Sequence, residues 1–210
     1  MIRVLVADDH AVVRKGLVQI LSDTESIRVV GEAPNAAEAM RQLRQTPCDV
    51  LLMDVSMPGK NGIEALKFLK EEFPQLKVLI LSMYPEDQFG VRALKAGAAG
   101  YLTKDIAPEK LIEAVERIMS GKRFITPELA ELLAESMGPS SEVAPHHTLS
   151  DREFQTLRLI ASGKKLSEIA ETLSLSPKTV SVYRTRLLEK MRLSNNAELT
   201  HYAIKHGLVE

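Results

Sequence analysis

Short, almost continuously apolar runs alternate with helical patterns through the first half of the chain. Ile2–Ala7 (IRVLVA) and Ile27–Ala33 (IRVVGEA) read as strands, as do the runs at 50–53, 78–81 and 99–102. Several lack the in-out alternation of a half-exposed strand, as burial on both faces of a sheet requires. Between them, apolar residues recur on a helical period near 11–21, 35–45, 62–72, 86–96 and 108–120. Val12, Val13, Leu17, Ile20 and Leu21 mark the first of these, and Leu111, Ile112, Val115, Ile118 and Met119 the last. Five repeats of strand then helix predict an α/β body: a doubly wound, five-stranded parallel sheet with right-handed crossovers. Pro74, Pro85 and Pro108 fall at element boundaries, and Gly97 suits a helix C-terminus.

That rhythm stops near residue 121. PELAELLAESM, opening on Pro127, reads as one short helix, and GPSSEVAPHH reads as a flexible linker in which His146 and His147 are solvated. From Leu149 onward no strand signal appears. Helical patterns near 151–162, 166–173, 177–191 and 196–206 predict a second, all-α unit of four helices, with Ser150 or Asp151 capping the first and Glu153 close to a capping-box position. The expected organisation is therefore a body at 1–120, a linker with a short helix at 121–147, and a helical domain at 148–210.

Composition sharpens this in three places. A chain of 210 residues with 45% hydrophobic content suits two small folded domains. The net charge of −1 is unevenly spread: the first 126 residues are balanced, the next segment is acidic, and the last part is basic, which hints at a polyanion partner. The single Cys48, expected to be a small buried or half-buried residue, excludes an intrachain disulfide and fits a reducing compartment. MIRVLVADDH is too short and too acidic for a signal peptide, and no apolar run approaches a membrane span, so the expected location is cytoplasmic.

Candidate chemistry gathers where the strands end. Asp8 and Asp9 follow the first strand, Asp54 the third, Ser82 the fourth and Lys104 the fifth. In an open parallel sheet the carboxyl ends of neighbouring strands line one crevice, where ligands bind. Three carboxylates there would repel one another unless a cation neutralised them. A hard cation such as Mg²⁺ takes carboxylate, water and phosphate oxygens, and a carboxylate can itself accept a phosphoryl group. Lys104 could pair with one phosphoryl oxygen and Ser82 donate to another. The metal ligands read from this pattern are Asp8, Asp9 and Asp54.

Asp8, Asp9, Asp54, the MPGKNG loop, Ser82 and the GYLTK segment make residues 1–120 resemble a response-regulator receiver domain of flavodoxin-like fold. The resemblance implies that Asp54 takes its phosphoryl group from a histidine kinase or a phosphotransfer protein, with Mg²⁺ held by the acids. It also implies that Tyr101 acts as a switch, changing rotamer as Ser82 moves toward the phosphate. One departure stands out: many receivers carry Pro after the lysine, and this chain has Asp105, which leaves the geometry of that peptide open.

SPKTVSVYRTRLLEKMR is the second informative stretch. Val180, Leu187, Leu188 and Met191 share a core-facing stripe, whereas Lys178, Arg184, Arg186, Lys190 and Arg192 can face solvent. The preceding LSEIAETLSLS and its tight turn complete a helix-turn-helix pattern. LSDREFQTLRLIASGKKLSEIAETLSLSPKTV and RLLEKMRLSNNAEL make residues 148–210 resemble the LuxR-type helix-turn-helix domain, and the two halves together a NarL/FixJ-type response regulator. Carried across, base-edge positions fall on Ser181, Val182 and Thr185, and phosphate contacts on Lys178, Thr179, Tyr183, Arg184 and Lys190. Tyr183 stands where the family usually has His. The helix at 196–206 matches the element through which such domains pair.

The expected function is thus a DNA-binding transcriptional regulator, homodimeric when phosphorylated, with promoter DNA as a partner, and no enzyme beyond slow self-dephosphorylation at most. A phosphatase working through an aspartyl phosphate would want a second acid two residues after the nucleophile, where Ser56 stands. A pure interaction module is the other alternative, and retention on promoter DNA separates it from a regulator.

Overall fold

The computed structural model describes residues 1–57, 62–136 and 144–209. The middle of the MPGKNG loop (58–61) and most of the expected linker (137–143) lie outside them. Two compact units are present, Met1–Glu135 and Ser136–Glu210.

In the first unit, strands β1 (Ile2–Ala7), β2 (Ile27–Ala33), β3 (Val50–Asp54), β4 (Lys77–Ser82) and β5 (Gly100–Thr103) form one parallel sheet in the order β2-β1-β3-β4-β5. Helices α1 (Ala11–Ser22), α2 (Ala36–Leu43), α3 (Gly62–Glu72), α4 (Glu86–Lys95) and α5 (Pro108–Met119) connect or follow them. At β1, β3 and β4 the apolar runs are strands because both faces are covered. Val4, Val6, Leu52, Leu79 and Leu81 pack with Leu17 and Leu21 of α1 and with Leu111, Val115 and Ile118 of α5, while the intervening Leu5, Leu51, Met53 and Ile80 are equally buried. Each such side chain contributes about 1.5–3 kcal/mol by leaving water. The strand order reverses direction at β1 and β3, so the ends of these two strands flank a crevice at the switch point.

Two expectations for residues 121–147 need correction. The short helix, α6 (Pro127–Glu135), is not part of a free linker but belongs to the first unit. Thr126 caps it, accepting from the Leu129 N–H at 3.1 Å and donating to the Glu86 carboxylate of α4. Leu129 is fully buried against Gly90, where a Cβ would come within 2.6 Å of its Cδ1. The absence of a side chain on α4 is what lets α6 lie so close. His146 is likewise not solvated. The chain turns at Pro145–Thr148, burying His146, whose Nδ1 lies 2.8 Å from the Tyr202 hydroxyl.

The second unit holds α7 (Asp151–Ala161), α8 (Leu166–Leu173), α9 (Pro177–Met191) and α10 (Asn196–Lys205). Leu157, Ile169, Val180, Leu187, Leu199 and Ala203 form its core, each with no exposed surface. Local chemistry sets the ends. Ser150 and Glu153 exchange a reciprocal capping box on α7, Ser176 caps α9 ahead of Pro177, and Asn195 caps α10. Ser174 and Arg192 take left-handed backbone at the C-terminal ends of α8 and α9. No described helix is long and apolar enough to cross a membrane.

Candidate functional site

β3 runs one residue further than its apolar run suggests and ends on Asp54, so the carboxylate is delivered by the strand itself. The chain then folds back: the Gly62 N–H bonds the Val55 carbonyl at 3.0 Å, and a Cβ on Gly62 would lie 2.4 Å from the Asp54 carbonyl oxygen. Only glycine permits that approach. The Asp8 N–H donates to the Ala33 carbonyl at 3.0 Å, fixing the end of β1 against β2. Asp8 and Asp54 are nearly fully buried, at 1% and 2% exposure, and Asp9 is half-buried at the rim.

Lys104, after β5, reaches both buried acids. Its Nζ lies 2.6 Å from Asp8 Oδ2 and 2.8 Å from Asp54 Oδ2, and its side chain is only 4% exposed. Its backbone N–H holds the Ser82 carbonyl at 2.8 Å. All described peptide bonds, including Lys104–Asp105, are trans. Burial works to lower the Lys104 ammonium, yet Asp54 and Asp8 beside it hold it above its ordinary value. Burial pushes the Asp54 carboxyl up; Lys104 opposes this, and neighbouring Asp8 adds to it. Two acids share one ammonium, so the cluster is short of positive charge.

Ser82 ends β4, fully buried, and its Oγ accepts from the Tyr84 N–H at 3.1 Å. The buried Tyr101 hydroxyl donates to the Tyr84 carbonyl at 2.8 Å, and the Tyr84 ring lies 5.0 Å from that of Phe89 on α4. Direct contacts thus connect Ser82 to the tyrosine pair and to α4. The structure thus brings Asp8, Asp9, Asp54, Ser82, Lys104 and Tyr101 to one end of the sheet.

Two participants escaped the sequence reading. The Arg14 guanidinium donates to the Asp8 carbonyl at 2.7 Å and pairs with Glu32 at 3.2 Å; one arginine on a helix face gives no signal of that. His10 sits against Asp9 and Asp8, and its place directly after an acid pair was the available clue.

In the second unit, Lys178, Ser181, Val182 and Thr185 are exposed on one face of α9, with Thr179 half-buried beside them. Ser181, Val182 and Thr185 line one shallow depression with Arg186 and Glu189. Tyr183 and Arg184 are half-buried at its flank, and Arg184 Nε donates to Asn196 Oδ1 at 2.6 Å, joining α9 to α10. Lys190 is placed differently from the others: its Nζ pairs with the buried Glu153 at 2.7 Å.

A clustered set of acids that can be charged or masked, joined to a helix offering cations and hydroxyls to solvent, is the build of a signalling switch with a polyanion-binding output. Residues 4–116 match the family of response regulator receiver domains, and residues 147–203 match the bacterial regulatory proteins of the luxR family. The chain is 41% identical over 211 residues to the response regulator GacA of Pseudomonas aeruginosa, covering 100% of this chain and 99% of that one. It is 42% identical over 209 residues to the response regulator UvrY of Escherichia coli, covering 99% and 96%. Among solved structures it resembles RcsB from Salmonella enterica serovar Typhimurium bound to promoter rprA in the presence of phosphomimetic BeF3-, at 29% identity and a TM-score of 0.66, covering 96% of this chain and 97% of that one. The chain belongs to the two-component response regulators of the NarL/FixJ type. It is a DNA-binding transcriptional regulator, and its partners are a histidine kinase and promoter DNA.

Proposed function

We propose that Asp54 is the phosphoacceptor and that its modification controls how α9 grips a promoter. The observation that carries this is the Asp8–Lys104–Asp54 bridge, with Lys104 within 2.8 Å of both buried carboxylates. The site fits a divalent cation: ligand oxygens of Asp8, Asp9 and Asp54 lie within 4.8 Å of one another, and the single Lys104 ammonium leaves the cluster short of positive charge. When bound, Mg²⁺ supplies the charge that lets three carboxylates and a phosphoryl group share one crevice. An Asp54 carboxylate oxygen attacks phosphorus, forming an O–P bond as the P–N bond of the donor phosphohistidine breaks and its imidazole leaves. The Lys104 ammonium pairs with one phosphoryl oxygen, and the Ser82 hydroxyl donates to another. Tyr84 and Tyr101 then follow Ser82, and α4 feels the change.

Ser56 stands two residues after Asp54, where an efficient hydrolase would want an acid, so self-dephosphorylation is slow. On the output side, Ser181, Val182 and Thr185 face base edges, and Lys178, Thr179, Tyr183, Arg184 and Lys190 face phosphates. Lys190 does so by exchanging its Glu153 partner. Ile204 on α10 is 56% exposed, which supports pairing of two phosphorylated copies so that two α9 helices reach half-sites about one helical turn apart. The functional parts we assign are 1–120, 121–147 and 148–210, with α6 carried on the first. The protein works in the cytoplasm, where its single thiol stays reduced.

Labelling by a small phosphodonor with Mg²⁺ tests the acceptor. Wild type takes up one phosphoryl group and Asp54→Asn none; single-site labelling retained in Asp54→Asn would overturn the assignment.

A further inference from the structure

The acid cluster contains an imidazole that the Mg²⁺ reading leaves without a role. His10 follows Asp8 and Asp9 directly and occupies the extended N-cap position of α1. Its backbone N–H donates to Asp8 Oδ1 at 2.8 Å, which turns the ring back over the acids. Nδ1 then lies 2.9 Å from Asp9 Oδ1 and 3.3 Å from Asp8 Oδ1. One ligand atom from each of Asp8, Asp9, His10 and Asp54 falls within a span of 4.8 Å. Asp8 and Asp54 form the buried floor of this group. The His10 side chain, 61% exposed, forms its outer wall.

The donor set is three carboxylates and one imidazole, drawn from two strand ends and the first turn after one of them. Magnesium has little use for nitrogen and keeps oxygen ligands and waters. Imidazole suits the later first-row ions, whose affinity for mixed nitrogen and oxygen sites rises toward nickel and copper. A histidine aimed away from the acids would leave an all-oxygen site; this one is aimed into them.

We propose that His10 Nδ1 is a fourth ligand of the phosphoacceptor site, so that the site also takes a first-row transition cation, of which Ni²⁺ is the probe. This deepens the Mg²⁺ reading and rests on it. The occupying cation would then set how the acid cluster meets a phosphodonor.

Titration of the full chain with Mg²⁺ and separately with Ni²⁺, in wild type, His10→Ala and Asp54→Asn, tests the proposal. The expected result is that the ratio of Ni²⁺ to Mg²⁺ affinity falls about tenfold or more in His10→Ala, and that Asp54→Asn weakens both ions. Zn²⁺ added to nitrogen-15-labelled wild type, where no variant has to fold, should move the His10 Nδ1 resonance to a metal-bound position. An unchanged affinity ratio in His10→Ala, or an unmoved His10 resonance at Zn²⁺ saturation, overturns the ligand assignment while Mg²⁺ binding that depends on Asp54 leaves the parent reading standing. Failure of Mg²⁺ to bind wild type at all overturns both.

Discussion

One lysine in each unit is held in the opposite way to the other. Lys104 is 4% exposed and locked between two buried acids, whereas Lys178 stands at the first turn of α9, open to solvent. A buried ion pair is costly to break because the surviving charge is stranded; an exposed lysine costs nothing to remove until a polyanion arrives. The first unit therefore couples its chemistry to its own folding, and the second separates them. A regulator benefits from that division: the marked site must be geometrically fixed, and the gripping surface must stay available.

The contrast is broken most forcefully at Lys104. Lys104→Met leaves Asp8 and Asp54 together without their ammonium, and urea unfolding of the first unit should show a loss of about 3–5 kcal/mol. Adding Asp54→Asn should recover part of it by removing one of the two charges. A loss below about 0.5 kcal/mol would place Lys104 with the exposed lysines and erase the distinction.

Next in size is the core of the second unit. Leu187→Ala should cost about 2–5 kcal/mol of that unit's stability, read by the loss of helical signal on heating. Phosphoryl labelling of Asp54 should persist in the same protein, because the two units are separately compact.

Lys190 sits between the extremes. Lys190→Met strands the Glu153 carboxylate, which keeps only its Ser150 partners, and about 1 kcal/mol should be lost. Burial alone would raise the Glu153 carboxyl, but Lys190 and Ser150 hold it below its ordinary value. Its contribution is therefore present above the ordinary carboxylate range and disappears as pH falls through the lowered folded value. Acidification should weaken wild type more than Lys190→Met; equal weakening would remove the pair from the account. Lys178→Ala should leave stability unchanged and reduce the salt dependence of DNA binding by about one unit in the logarithmic slope.

The smallest effect concerns Cys48. Burial pushes its thiol up to about 11, and its Sγ donates to the Val50 carbonyl at 3.0 Å. Alkylation at neutral pH should be far slower than for a free thiol, and rapid reaction would contradict that environment.

Much of this was legible in the residues, for physical reasons that differ by place. β1 lies where its apolar run lies because double-sided burial leaves no other use for such a segment, and β2 keeps its expected bounds as the half-exposed edge strand beside it. β3 and β4 each run one residue further, onto Asp54 and Ser82, since a polar residue can complete the ladder while its side chain enters the crevice. Strand-end position thus located the acids, Ser82 and Lys104 before any geometry was available. The helical unit was legible through its caps, which are local. Most of what escaped depends on contacts between distant segments: α6 docking on Gly90, His146 folding onto Tyr202, and Lys190 finding Glu153. No periodicity encodes a pairing across tens of residues.

The central claim is that phosphorylation of Asp54 changes the grip of α9 on DNA. Its most direct test is the affinity of the full chain for its promoter, measured with and without phosphodonor and Mg²⁺, in wild type and in Asp54→Asn. The account predicts a change of affinity on adding the donor to wild type and none in Asp54→Asn. The same change in both proteins would contradict it.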